Sequence, residues 1–189
     1  MRVTNVKGVQ VGDSVPVNPK SNHTVGRLVE QKLKEYGHNY NDGKGIDLPD
    51  LNTENKVRKT SSKSAHTIGR MTTSDIIDTC WEDSSVRDKI LANQNRYEWS
   101  DIYCEITDNT VYDFTDPYIE EKLKQGYELG RAEIASGLCG NNTKTYGPVI
   151  WQKDKDKEQW QYRITNKGMQ EIKGISKQKT FDDLFDFCD

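Results

Sequence analysis

Apolar residues recur at helical spacing from about Thr24 to Tyr36, where Val25, Leu28, Val29, Leu33 and Tyr36 form one stripe. Ser21 or Asn22 stands where a cap is wanted and Gly37 where a helix stops, so the pattern predicts a first helix. A loop rich in Asn, Gly and Asp follows, His38 to Lys44, and Asp47 is expected to end a strand or turn. From Thr53 to Lys59 the period drops to two. Glu54, Lys56 and Arg58 then share one face of a strand, and Thr53, Asn55 and Val57 the other. Helices are expected around Thr73–Cys80 and Ser85–Asn93, then strands over Asp101–Ile106 and Val111–Phe114 joined by the polar turn Thr107 to Thr110. Asp116-Pro117 opens the longest helix, with Ile119, Leu123, Tyr127, Gly130 and Ile134 on its buried face and Gly137 at its end. A hairpin of Pro148–Gln152 with Gln159–Ile164 encloses the turn KDKDKE. A short helix from about Lys167 and an acidic, aromatic tail close the chain.

This order predicts a mixed α/β fold, a mixed β-sheet flanked by α-helices, and not a run of βα repeats. At 189 residues, without a linker or repeat, the expectation is a single domain over 1–189 that includes the hairpin and short helix. Charged residues, at 30%, nearly match the 33% that are hydrophobic, so the core is modest and the surface polar. No apolar run approaches the length of a membrane span, and the N-terminus lacks an apolar block of signal type, which implies a cytoplasmic protein with no membrane partner. Cys80, Cys104, Cys139 and Cys188 are scattered without a CxxC, as buried thiols are. The net charge of −3 argues against a surface that binds nucleic acid all over. It is unevenly spread: the tail FDDLFDFCD carries Asp182, Asp183, Asp186 and Asp189, while KVRKTSSK (Lys56 to Lys63) has four bases and no acid. GNNTKTYG lacks the Gly-Lys-Ser/Thr ending of a phosphate loop, so no nucleotide cofactor is expected.

The chemistry concentrates in GIDLPDLNTENKVRK, Gly45 to Lys59. Two residues apart on a strand, Glu54 and Lys56 lie about 6–7 Å apart at their Cα atoms. With Asp47 at the mouth of the adjoining segment, two carboxylates and the main-chain carbonyl of Asn55 make a set of hard oxygen donors suited to magnesium. A lysine beside such a cation favours an activated water, and the cation offsets charge on a phosphate. Alternating Glu and Lys on a strand is also what a plain solvated face looks like.

Asp47-Leu48-Pro49-Asp50-Leu51-Asn52-Thr53-Glu54-Asn55-Lys56 resembles, without a gap, the motif of the PD-(D/E)XK nuclease superfamily, in the branch of the MutH mismatch-repair nuclease and related type II restriction endonucleases. Gly26-Arg27-Leu28-Val29-Glu30 is similar to that branch's upstream helical acid. The segments SSKSAHTIGRM and Val111 to Gly137 also look like parts of restriction-enzyme relatives. The resemblance implies a restriction-endonuclease-like core and a magnesium-dependent endonuclease acting on double-stranded DNA, with manganese able to substitute, from a bacterial or phage source. In it Asp47 and Glu54 bind metal with Asn55, Lys56 polarises the attacking water and Glu30 assists. Arg58, Lys59, Lys63, His66 and Arg70 are the expected DNA contacts. One departure stands out: the position of Asn55 is apolar in the motif and points into the core, where an unpaired amide costs about 1–3 kcal/mol.

Several alternatives stay open at this level. Asp50 competes with Asp47 as ligand. His66 is either a base or a DNA contact, and the loop Asn141 to Tyr146 either reaches a groove or only connects. A structure-selective repair nuclease and a non-catalytic DNA-binding module are the competing functions. A palindromic target would call for a homodimer, whereas a nickase works alone.

Overall fold

The first helix forms where the apolar stripe placed it. In the computed structural model, which describes residues 6–43, 45–137, 143–154 and 158–186 and the side chains of these as far as residue 176, α1 spans Asn22–Tyr36. Gly37 adopts a left-handed φ of 110° and turns its N–H back onto the last turn of the helix. Val25, Val29 and Leu33 are buried in a core with Leu48, Tyr97, Trp99 and Ile106, which Val6, Val9 and Val15 complete.

The chain folds as two compact units, one of Met1–Ser62 with Ala92–Tyr112, the other of Lys63–Leu91 with Asp113–Asp189. In the first unit β1 (Thr53–Lys59) pairs in parallel with β3 (Asn93–Ser100), and β3 pairs antiparallel with β4 (Glu105–Tyr112). The expected strands at 101–106 and 111–114 are thus corrected, and the expected turn at 107–110 lies inside β4. The real turn is 101–104, where Cys104 takes φ 51°. The error has a physical cause. Gln94, Asn95 and Arg96 make β3 read as polar loop, although all three are buried, and Asp108-Asn109-Thr110 mimics turn chemistry in the middle of a strand.

The second unit is a four-stranded antiparallel sheet in the order β2-β7-β6-β5, with β2 His66–Thr72, β5 Thr143–Tyr146, β6 Val149–Lys153 and β7 Gln159–Ile164. Two sheets therefore stand where one mixed sheet was expected. The expected β6–β7 hairpin is present. β2 was not among the expected strands, and β5 takes Thr143–Tyr146 out of an expected polar connection. Residues 141 and 142 of that connection, Lys44, the tip of the KDKDKE turn, Cys139, Cys188 and Asp189 lie outside the described residues. Cys80 and Cys104 are free thiols, half-buried and not fully so.

The helices of this unit are α2 (Thr73–Asp78), α3 (Ser85–Leu91), α4 (Pro117–Ser136) and α5 (Asn166–Asp186). The last is longer than the short helix expected. Its backbone carries Asp182, Asp183 and Asp186, whose side chains lie outside the described residues. Asp116 caps α4 by accepting from the N–H groups of Tyr118 and Ile119. Trp81, Tyr127, Trp151 and Tyr162 form an aromatic cluster, the Trp151 and Tyr162 rings meeting edge to face at 5.1 Å. No helix among the described residues is long and apolar enough to cross a membrane.

Gly126 and Gly130 let α4 come down onto β6, because a methyl at Gly126 would overlap Val149 and one at Gly130 would overlap the Trp151 indole. Alanine normally gains about 1 kcal/mol over glycine inside a helix, but overpacking a core costs about 1–3 kcal/mol. Gly130→Ala is expected to lose roughly 1–2 kcal/mol net, read as a lower urea midpoint. Gly174→Ala on α5, where a methyl meets nothing, should not fall.

Candidate active site

The motif folds back on itself within a few residues. Leu48 and Thr53 exchange two backbone hydrogen bonds, Leu48 N–H to Thr53 O at 2.9 Å and Thr53 N–H to Leu48 O at 3.1 Å. A single 3-10 turn, Pro49–Leu51, and Asn52 in the left-handed region (φ 47°) close the loop between them. Proline at the first position of the turn and asparagine at its end suit those backbone angles. Asp47 and Glu54, the residues just outside this bridge, are thereby brought side by side. The Asp47 N–H donates to Glu54 Oε2 at 3.3 Å, and the Asn55 N–H donates to Asp47 Oδ2 at 2.9 Å. The Asn41 N–H to Asp47 O bond, 2.7 Å, ties the preceding loop to the same point.

Glu54, Lys56 and Arg58 share a face of β1, as the alternation required. Lys56 Nζ stands 3.8 Å from Glu54 Oε1. The structure thus joins Asp47, Glu54 and Lys56 in one network. Asp50 sits on the exposed 3-10 turn, where Asn39 Nδ2 donates to it at 3.5 Å; Asp47 is the acid whose main chain meets Glu54. Glu30 lies on α1, held by Lys34 at 3.1 Å, and Lys34 also pairs with Asp42 at 2.8 Å.

Tyr40 reports on the field these acids create. Burial pushes its hydroxyl well above the usual tyrosine range, and the charges of Asp47, Glu30 and Glu54 push it further, with the Asn55 side chain opposing. Three carboxylates therefore act on one spot. Among the described residues no group of three or more His, Cys, Asp or Glu is arranged to hold a metal. Asp47 and Glu54 are the two acids that the backbone joins directly, and hard oxygen donors in a negative field fit a divalent cation of the magnesium type.

Asn55 faces the core, and its partner explains how. Asn95, fully buried on β3 and directly opposite in the register, donates from Nδ2 to Asn55 Oδ1 at 2.9 Å. On the other face, Arg96 lies opposite Lys56 and Gln94 opposite Glu54. Arg96 Nη2 donates to Gln94 Oε1 at 3.1 Å, and the guanidinium stands 5.9 Å from the Tyr112 ring. Burial lowers Arg96 to about 10, with Arg58 lowering it too and Tyr112 and Glu54 opposing. Arg96, Gln94, Asn95 and Tyr40 went unassigned in the sequence. The only signal was NQNRYEWS, whose polar residues alternate with Tyr97 and Trp99 once it is recognised as a strand.

The five expected DNA contacts divide between the units. In the first, Arg58 Nη2 donates to Ser62 O at 2.9 Å, while Lys59 pairs with Asp101 at 3.5 Å and stands 5.2 Å from the Trp99 ring. In the second, Lys63 is exposed ahead of β2, His66 begins that strand half-buried, and Arg70 pairs with Asp154 at 3.7 Å. Set against protein-family models, characterised proteins and solved structures, the chain matches none. The resemblance rests on the motif and its surroundings.

Two outcomes follow from the core face. Removing the Asn95 amide strands a buried polar group on Asn55, so Asn95→Ala should cost about 1–3 kcal/mol. A paired Asn55→Val, Asn95→Val variant should cost less than its two single changes added together, as a double-mutant cycle by urea denaturation would show. Tyr97 is pushed up to about 12, chiefly by burial, with the Asn95 side chain opposing and the Asp13 charge adding. Unfolded tyrosines titrate near 10, so the folded chain keeps this proton longer. The contribution is whole below about pH 10 and is lost as pH rises toward 12, at up to about 1.4 kcal/mol per pH unit. Tyr97→Phe should flatten that alkaline decline; equal slopes for the two proteins would count against it.

Proposed function

We propose that this protein is a divalent-metal-dependent endonuclease that hydrolyses phosphodiester bonds of double-stranded DNA. The observation that carries the reading is the meeting of Asp47, Glu54 and Lys56 across a two-bond backbone bridge. Magnesium, or manganese in its place, would be held by Asp47 and Glu54 with the Asn55 carbonyl, and would supply charge neutralisation at the phosphate and a more acidic water. Lys56, with 31% of its side chain exposed, offers its ammonium at the edge of the carboxylate pair. There it hydrogen-bonds the attacking water and stabilises the charge that grows on the phosphate oxygens as the P–O bond breaks. The Asn55 N–H fixes the orientation of the Asp47 carboxylate, so that group keeps its aim without substrate. Glu30 enters as an outer acid whose charge adds to the field of the pair. Duplex DNA is the substrate the motif's resemblance implies, and Arg58 and Lys59, further along β1, supply positive charge for a phosphate backbone.

The test is conversion of supercoiled plasmid to nicked or linear forms with magnesium. Lys56→Ala and Asp47→Ala should each lower the cleavage rate by about 10²–10³-fold with an unchanged circular dichroism spectrum. Wild-type protein that leaves supercoiled, linear and branched duplexes intact in magnesium and in manganese would overturn the proposal.

A further inference from the structure

The strands of the second unit sort their side chains by alternation. Trp151, Trp160, Tyr162 and Ile164 are buried on one face of the sheet, the face onto which α4 comes down. On the other face the register puts Arg70, Gln161 and Gln152 in one row, with Thr67 and Arg163 in the next. Arg70 is exposed and the other four are half-buried. These polar side chains are tied end to end. Thr67 Oγ1 donates to Gln161 Oε1 at 2.9 Å, Gln161 Nε2 donates to Asp154 Oδ1, and Asp154 Oδ2 faces Arg70 Nε at 3.7 Å. Arg163 donates to Gln152 Oε1 and, at 2.7 Å, to Ala65 O.

An ion pair at the surface adds little stability, and holding long side chains in one geometry costs entropy. The chain of bonds instead aims Arg70. Asp154 stands at its Nε corner, its side chain stays 55% exposed, and its Nη groups meet no partner among the described residues. Such a rigid fork of N–H groups matches two acceptors side by side, guanine O6 and N7 or two phosphate oxygens. The surroundings favour the base. Asp154 repels a phosphate, whereas the cytosine paired with that guanine presents an N4 amine that a carboxylate accepts. Burial lowers the affinity of Arg163 for its proton and the Arg70 charge lowers it further, so a second guanidinium stands in the field of the first. Two positive groups against the Asp154 carboxylate suit a polyanion. β2 also lies at the end of the sheet order, with β7 beside it. The two strands make a ribbon at the sheet margin, of the width that a major groove admits.

We propose that this face of the second sheet reads base sequence, with Arg70 recognising a guanine in the major groove and Asp154 aiming its fork. This rests on the duplex-DNA part of the nuclease reading and adds to it a required G·C pair in the substrate. Gln161 and Thr67 are positioning residues that act through Asp154.

The test is selection of a randomised duplex library by the full chain, with calcium in place of magnesium, and sequencing of the duplexes that bind. Wild-type protein should enrich a site with a fixed G·C pair. Arg70→Ala and Arg70→Lys should each lose about tenfold or more of the preference at that pair, since lysine keeps the charge and lacks the fork. Arg70→Lys should still bind random-sequence duplex within about threefold of wild type. Asp154→Ala should loosen the same pair and no other. An Arg70→Lys protein that selects the wild-type site, or an Arg70→Ala protein that binds all duplexes more weakly with its preference intact, would mark a phosphate contact and sink the proposal. Full preference in Asp154→Ala would remove the aiming role, and no enriched sequence with wild-type protein would remove the reading face altogether. A G·C-dependent site selected by a protein that cuts no plasmid would overturn the nuclease and leave this face standing. Plasmid cleavage at sites indifferent to Arg70 would overturn this face alone.

Discussion

Leu48 and Thr53 hold each other through a pair of backbone hydrogen bonds across a single 3-10 turn, and the placement of the site follows from that exchange. Side chains flanking such a bridge have little freedom to separate. Asp47 and Glu54 are seven positions apart in the chain yet meet through an N–H to carboxylate bond. Because the bridge is made of backbone, its formation depends on the turn angles at Pro49 and Asn52 more than on any side chain in the site. Two acidic residues are kept together by backbone geometry fixed before their charges are considered.

The two faces of the first unit's sheet carry different loads. One packs Val57, Tyr97 and Trp99 with the stripe of α1, and the Asn55–Asn95 amide pair interrupts it. The other buries Glu54, Gln94 and Arg96 together. A layer of this kind contributes less to stability than an apolar one of equal volume, and removing one member is more costly than replacing them all. Stability in the first unit therefore comes mainly from the α1 face.

How much of this was legible depended on where the information lay. The helices α1 and α4, the strand β1 and the β6–β7 hairpin were readable because each carries its own period and its own stop: Gly37, Gly137, Asp116-Pro117. The motif was readable because its members lie close in sequence and the turn joining them has recognisable chemistry. β3 was not. Its polar residues make sense only beside β1, with which it pairs in parallel across some forty positions, and no local pattern announces a partner that distant. Arg96 was hidden for the same reason. Asp108-Asn109-Thr110 shows the converse, a segment with the composition of a turn that pairing with β3 holds extended. The division into two sheets also lay beyond the pattern, since strand existence is local and strand partnership is not.

The interleaved segments have a consequence during synthesis. The chain leaves the first unit after Ser62, spends residues 63–91 in the second, and returns at Ala92. A ribosome has therefore delivered Asp47, Glu54 and Lys56 well before the strand that carries Asn95 and Arg96 exists. The Leu48–Thr53 bridge needs only nearby residues and can close early, but the sheet beneath it must wait. The nascent chain passes through an interval in which the acids are assembled and the strand that pairs with theirs is still unmade.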